Sequence, residues 1–450
     1  MLRRLVLFAL ATVATASAQP PNVLLILADD LGWADAGCYG NTYNETPHLD
    51  RLAREGMRFT HFYAGPVCSP TRANLQSGRD QARYGITQHI PGHRRPWAKL
   101  RDPVVPLQLP LEVETFAERL AGAGYRTGFF GKWHLGGRGF SPADQGWQVS
   151  EETKGNIQKQ AGGEQRTAAY LTEKAIAFLQ TERGRPFVLQ VAHNAVHIPL
   201  STTPEHLARF GAKPAVPGYP SRPEYAGLLA ELDDSVGRLL DALDQLGLAE
   251  NTLVFFVSDN GGLEHEQNGT VVTSNRPLRG EKGSLYEGGI RVPAIARWPG
   301  RIPAGTVCHV PAITTDLHAT FAELAGVKVT EGALDGVSLT PLLADPAARL
   351  SREALFWHLP HYHHSTPASA VRQGDWKLIE FFEDDHAELY DLAGDPAEMK
   401  NLAETEPART SALRASLQAW RQRVGARMPV PNPDYDPARA GELGKAGRDR

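Results

Sequence analysis

Two short acidic clusters stand directly after apolar runs, and together they have the chemistry of a cation site. Asp29 and Asp30 follow the run 23–27, and Asp259 and Asn260 follow the run 253–257. An acid pair alone is more often a helix cap or a solvated turn. Two such clusters at the ends of buried strands supply three carboxylates and one amide, a hard oxygen set that suits calcium or magnesium better than zinc. Cys68-Ser69-Pro70-Thr71-Arg72 adds a thiol at the start of a helix, because Pro70 fits a first turn and Arg72 follows one turn later. Taken singly, Lys132 and Lys282 read as solvated charges, and His134 and His197 as satisfied loop histidines. His193 rivals His197, since both lie just past an expected strand.

What raises these residues above the ordinary is their company. The pentapeptide from Cys68 to Arg72 continues as Ala73-Asn74-Leu75-Gln76-Ser77-Gly78-Arg79. It resembles the type I sulfatase signature, Cys-x-Pro-x-Arg with a downstream Gly-Arg. Asp29-Asp30-Leu31-Gly32, Gly131-Lys132-Trp133-His134-Leu135-Gly136, His197-Ile198-Pro199, Ser258-Asp259-Asn260-Gly261 and Lys282-Gly283-Ser284-Leu285-Tyr286-Glu287-Gly288-Gly289 match further blocks of that family, in its order. The chain therefore resembles the formylglycine-dependent, arylsulfatase-like sulfatases of the alkaline phosphatase superfamily over nearly its whole mature length.

That resemblance implies an enzyme that hydrolyses a sulfate ester to an alcohol and inorganic sulfate. Cys68 would be oxidised to formylglycine (3-oxoalanine), hydrated, and braced by Arg72. One divalent cation, preferably Ca2+, would be held by Asp29, Asp30, Asp259, Asn260 and the modified Cys68, lowering the pKa of the attacking hydroxyl. Lys132 and Lys282 would hold the nonbridging oxygens. His197 would protonate the leaving oxygen, and His134 would take a proton from the second hydroxyl so that sulfate departs. The implied partners are a sulfated small molecule or oligosaccharide and a formylglycine-generating or anaerobic sulfatase-maturating enzyme. Two other readings remain open: a phosphonate or phosphate monoester hydrolase of the same superfamily, and a noncatalytic sulfated-glycan-binding protein in which Cys68 stays a thiol.

The elements that must position these groups alternate. Residues 23–27, 126–130, 187–192 and 253–257 read as buried strands, and 115–121, 168–181 and 225–246 as helices, which together predict a mostly parallel sheet flanked by helices. Ligand sites of such sheets lie at the carboxyl ends of the strands. From about residue 353 short extended runs, 354–357, 369–372, 376–382 and 388–392, predict a small antiparallel sheet. A final helix presents Leu413, Leu417, Trp420 and Val424 to it. The expected organisation is α/β: a catalytic domain over 19–350, a C-terminal subdomain over 351–428, and a tail over 429–450 without fixed structure.

Arg3 and Arg4, the apolar run 5–13 and Ala16-Ser17-Ala18 predict a signal peptide over 1–18 and a periplasmic or secreted product. No apolar run reaches the length of a membrane span. The net charge of -4 on 450 residues gives no reason to expect a nucleic-acid partner. Of the three cysteines, Cys38 and Cys308 are open to bridging or to separate burial, leaving Cys68 unpaired. Residues 88–97 mix His, Arg and Trp, and residues 358–364 carry four histidines. Both are candidates for substrate contact, and the second is also a possible zinc site.

Overall fold

The run Val23 to Leu27 has no polar side chain to offer water, and it forms the centre of a nine-stranded sheet buried on both faces. The computed structural model describes residues 20–160, 163–181, 184–267, 270–440, 442 and 445–446, so the expected signal peptide lies outside the described residues. Strands of the large sheet are β1 (Asn22–Ala28), β2 (Met57–Tyr63), β3 (Arg126–Gly131), β4 (Val149–Glu152), β5 (Phe187–Ala192), β6 (Thr252–Ser258), β7 (Arg291–Arg297), β8 (Thr306–Cys308) and β9 (Ala312–Ile313). Their order is β8-β2-β7-β6-β1-β5-β3-β4, with β9 also paired to β2. Only β7 runs against its neighbours β6 and β2; the other pairings are parallel.

Side chains alternate across β1, so Val23, Leu25 and Leu27 enter one core and Leu24, Ile26 and Ala28 the other. On the second face lie α-helices Thr167–Gln180 and Pro223–Gln245, the latter through Leu228, Leu229, Leu232, Val236, Leu239, Leu240 and Leu243. On the first face lie Phe116–Gly122, capped by Thr115 with Glu118, and Asp316–Leu324.

The smaller sheet contains β10 (Leu355–Leu359), β11 (Ala368–Gln373), β12 (Trp376–Phe381) and β13 (Ala387–Asp391), all antiparallel and in chain order. Helix Pro407–Val424 covers one face with Leu413, Leu417, Trp420 and Val424. The other face, through Trp357, Leu359, Ala370 and Ile379, packs on Tyr63, Leu285, Ile290 and Ile313 from the larger unit. Lys377, fully buried, crosses this seam to Glu287 at 3.0 Å and also pairs with Glu398 of its own unit at 2.9 Å. That packing fixes the loop after β10 beside Lys282.

One expectation changes, and one open choice is decided. The residues after Pro429 are not a free tail throughout: Val430–Pro431 pairs with Leu100–Arg101, and Asn432 Nδ2 donates to Pro96 O at 2.8 Å. The guanidinium of Arg439 lies over the ring of Trp97. These contacts to one surface loop give the segment an order that its polar composition did not suggest. All three cysteines are free, and Cys38 and Cys308 are separate thiols raised by burial to about 12 and about 11.

Buried histidines tie the fold's stability to pH. His318 donates Nδ1–H to Gln76 O at 3.0 Å and accepts from Arg119 Nε at 3.0 Å, which fixes it as a neutral imidazole. Burial, then the Arg119 charge, holds its pKa down at about 3. The unfolded chain gains this proton near pH 6.5 and the native state does not, so stability falls as pH drops below that value. His318→Gln is expected to flatten this dependence. Between pH 6.5 and 5 the wild type should lose about 2 kcal/mol more than the variant, measured by urea unfolding. Equal losses would show that His318 is not the group responsible.

Candidate active site

Five elements deliver polar groups to one rim of the large sheet. Strands β6, β1, β5 and β3 are adjacent, and each ends there: β6 into Asp259 and Asn260, β1 into Asp29 and Asp30, β5 into His197, β3 into Lys132 and His134. From β2 the chain reaches the fifth element, helix Cys68–Ser77, whose residues are all buried. Cys68 is its first residue and Pro70 lies in the first turn, so unpaired backbone N–H groups and the positive end of the helix dipole surround position 68.

The charges pair one to one. Arg72 donates from Nε and Nη2 to Asp259 Oδ2 at 3.0 and 2.7 Å, and also to Lys132 O. Lys132 Nζ meets Asp29 Oδ2 at 2.5 Å, and Lys282 Nζ meets Asp30 Oδ1 at 2.6 Å. Asn260 Nδ2 donates to Asp30 Oδ1 at 2.8 Å. Three oxygens are then left over: Asp29 Oδ1, Asp30 Oδ2 and Asn260 Oδ1 are buried with no hydrogen-bond partner. Orphaned buried acceptors of this kind are costly, and a cation is the partner that a mixed carboxylate and amide set lacks. Asp29, Asp30 and His197 already hold ligand atoms within 4.8 Å of one another.

Electrostatics express the same imbalance. Burial and the Asp29 charge push Asp259 up to about 7 despite Arg72. For Asp29 burial acts the same way, yet Lys132, His197, Arg72 and Lys282 outweigh it and hold the carboxyl well below its ordinary value. Burial and Lys132 hold His134 down at about 4, and burial and Lys282 do the same to His197.

Hydrogen bonds settle both tautomers. His134 gives its Nε2 proton to Ile90 O at 2.7 Å, which leaves the Nδ1 lone pair facing Cys68 Sγ at 3.2 Å. His197 gives its Nδ1 proton to Ile198 O at 2.5 Å, leaving Nε2 on the side of Asp30 Oδ2 at 3.8 Å. Asp30 and His134 adopt left-handed backbone at φ 65 and 60, a strained choice for residues with side chains and one that recurs where geometry is held for function. Gly131 permits the turn into Lys132: a Cβ there would fall 1.8 Å from Ala192 O.

All ten residues singled out from the sequence meet at this rim. His193 does not join them; it is fully buried beneath, with Nε2 3.2 Å from Ser235 Oγ. The four histidines of 358–364 divide: His358 is enclosed between Ser369 and Arg427, His361 bonds Thr87, and only His363 and His364 approach Lys282. The sequence reading missed the far wall of the cleft. Glu152, Thr153, Lys154, Asn156 and Asn194 line it with Lys132, His134 and His197, enclosing about 440 Å³. Asn156 Nδ2 also holds His197 O at 2.9 Å.

The family model described as Sulfatase matches residues 21–327. The chain belongs to the sulfatase family. A second model, N-sulphoglucosamine sulphohydrolase C-terminal, matches residues 280–423 of this sulfatase. Human arylsulfatase A is 35% identical over 467 residues, covering 89% of this chain and 86% of that protein. Mouse N-acetylgalactosamine-6-sulfatase is 36% identical over 379 residues, covering 75% and 69%. Among solved structures, Ps i-CgsB in complex with k-i-k-neocarrahexaose superposes with a TM-score of 0.77 at 28% identity, covering 93% of this chain and 95% of that one. The sulfatase is thus a sulfuric ester hydrolase with the mixed, mostly parallel sheet and small antiparallel sheet of its family. None of its described helices is long and apolar enough to cross a membrane.

Proposed function

We propose that this sulfatase removes sulfate from a sulfated carbohydrate, using Cys68 oxidised to formylglycine and one Ca2+ ion. The observation that carries the reading is the set of three unpartnered oxygens, Asp29 Oδ1, Asp30 Oδ2 and Asn260 Oδ1, beside a thiol at a helix start. Asp29, Asp30, Asp259 and Asn260, with the modified side chain at 68, would hold the ion. When bound, it supplies Lewis-acid charge that favours an ionised hydroxyl at position 68 and a sulfuryl group beside it.

The chain's own groups account for the remaining work. Arg72 is locked to Asp259 and Lys132 O, one turn beyond position 68, and holds the helix start against the acidic cluster. Lys132 lines the cavity on Asp29 and Lys282 is buried against Asp30, and their ammonium groups would bind nonbridging sulfuryl oxygens. His134 presents a bare Nδ1 to position 68, and its low pKa keeps that atom free to accept a proton. His197 presents Nε2 to the cleft. Burial holds its pKa down at about 4; a bound sulfate anion would add to the pull of Asp30 and raise its proton affinity, so that Nε2–H can protonate the leaving oxygen.

Substrate class is argued from the wall and the relatives. Lys154 and Asn194 offer donors to hydroxyls, and a cavity of about 440 Å³ suits one or two sugar rings at a chain end. One similar protein is an N-acetylgalactosamine-6-sulfatase and another is seen in complex with k-i-k-neocarrahexaose, so both names carry a carbohydrate. The residues 1–18 would direct export, and a maturating enzyme would act on Cys68 before or during folding.

The test compares sulfate release from sulfated N-acetylhexosamines and galactosides with hydrolysis of a phosphonate monoester by matured enzyme. A sulfate preference of about 100-fold or more in kcat/KM is expected, equivalent to about 2.7 kcal/mol. A phosphonate preference would transfer the site to the rival hydrolase reading. An unoxidised Cys68 after coexpression with a maturating enzyme would favour a glycan-binding protein.

A further inference from the structure

Outside the oxygen-lined site, three imidazoles from distant segments converge. His89, His93 and His363 bring ligand-type nitrogens within 4.8 Å of one another. Ring centroids lie 4.5 Å apart for His89 and His93, 4.7 Å for His93 and His363, and 5.6 Å for His89 and His363.

Their free atoms lack partners. Nδ1 of His93 and Nδ1 of His363 are buried without a hydrogen bond, and His363 is only 5% exposed. His89 gives its Nδ1 proton to Gln88 Oε1 at 3.0 Å, which leaves Nε2 as a bare lone pair. Burial holds all three rings neutral, and the nearby Lys282 and Arg95 charges reinforce this, so the lone pairs are present at neutral pH. Neutral imidazole nitrogens gathered within 4.8 Å of one another are the state a transition metal requires.

We propose that His89, His93 and His363 form a second cation site, for a zinc-class divalent ion, separate from the oxygen-lined site around Asp29 and Asp30. Three imidazoles without a carboxylate suit zinc and its neighbours and do not suit calcium. Gln88 serves as the outer partner that fixes the His89 tautomer. The ligands are held in place before any ion arrives. Arg95 Nη2 donates to His363 O at 2.7 Å, Leu100 N donates to Tyr362 Oη at 3.1 Å, and Thr87 Oγ1 lies 2.8 Å from His361 Nε2. Gly283 is part of the seat, since a Cβ there would fall 1.9 Å from His363 Nδ1, and its φ of +80 already favours glycine.

The ion staples the 88–97 loop to the loop after β10. Each loop touches a catalytic candidate through its backbone or a neighbouring ring: Ile90 O accepts from His134, and His364 Nδ1 donates to Lys282 O at 2.7 Å. This role is independent of how the sulfuryl group is transferred.

The full chain is stripped with a chelator, returned to saturating Ca2+, and titrated with Co2+ in wild type, His93→Ala and His363→Ala. Wild type is expected to bind one Co2+ with the visible bands of a low-coordinate nitrogen site, displaced by Zn2+. Each variant should bind on the order of 100-fold more weakly. A second readout is the melting temperature in Ca2+ buffer, which Zn2+ should raise for wild type and leave unchanged in the variants. Absence of Co2+ binding under saturating Ca2+, or binding unaltered in both variants, overturns the site and leaves the histidines as direct contacts to substrate. Either result leaves the sulfatase reading intact.

Discussion

Cys68→Ala should abolish sulfate release while leaving the fold in place. The expected loss is on the order of 10⁴-fold or more, the scale seen when a covalent nucleophile is removed. Stability should change by no more than about 1 kcal/mol. The side chain is buried, but its single polar contact is the 3.2 Å approach of Sγ to His134 Nδ1. The helix it begins is held elsewhere: Thr71 Oγ1 accepts from Gly65 N at 2.8 Å, and Arg72 is anchored on Asp259. Alanine keeps the Cβ and loses the atom that is oxidised. Turnover on a sulfated sugar and the melting temperature, measured on one preparation, separate the two effects. Undiminished activity would sink the covalent route, and a collapsed melting temperature would make Cys68 structural.

The contrast between Asp29 and His363 shows how far the sequence could be read. Asp29 follows six consecutive apolar residues, and a fully buried strand ending in acids can discharge them only at its carboxyl rim. The same logic placed Asp259 and Asn260 in the neighbouring strand, so the core of the site was legible from two short segments 230 residues apart in the Asp30–Asn260 hydrogen bond. His363 offered no such handle. Its partners His89 and His93 are far off in sequence, joined to it through the docking of the small sheet, and no spacing within 358–364 announces which of four histidines turns inward.

Strand β7 was missed for a related reason. Its Arg291-Val292-Pro293-Ala294 start breaks the apolar pattern, although both arginines at its ends are buried, Arg291 by bonding Thr60 O and Arg297 by pairing with Glu55. Asn156 escaped too, because a single amide in a turn carries no signal until its bond to His197 O is seen.

Removing the cation from the oxygen-lined site should cost the wild type stability as well as turnover, and Asp30→Asn should uncouple the two. Without an ion, Asp29 Oδ1, Asp30 Oδ2 and Asn260 Oδ1 are buried acceptors with no donor. Ca2+ at about 100 times its dissociation constant is expected to add about 2.7 kcal/mol to the native state, read as a higher melting temperature after chelated enzyme is repleted. Asparagine at position 30 keeps the shape but removes one charge. Lys282, now 2.6 Å from a carboxylate, loses its ion pair, and the cluster of three acids that a divalent cation needs becomes two. Calcium affinity should fall on the order of 100-fold, so turnover at low Ca2+ disappears and returns in part at high Ca2+. The variant should also respond less to chelation than wild type, because it has less metal binding to lose. A wild type whose activity and melting temperature ignore both chelator and Ca2+ would rule out the ion. The three orphaned oxygens would then need another partner, and Lys132 and Lys282, each already committed to one oxygen of its carboxylate, are the only ammonium groups positioned at Asp29 and Asp30 among the described residues.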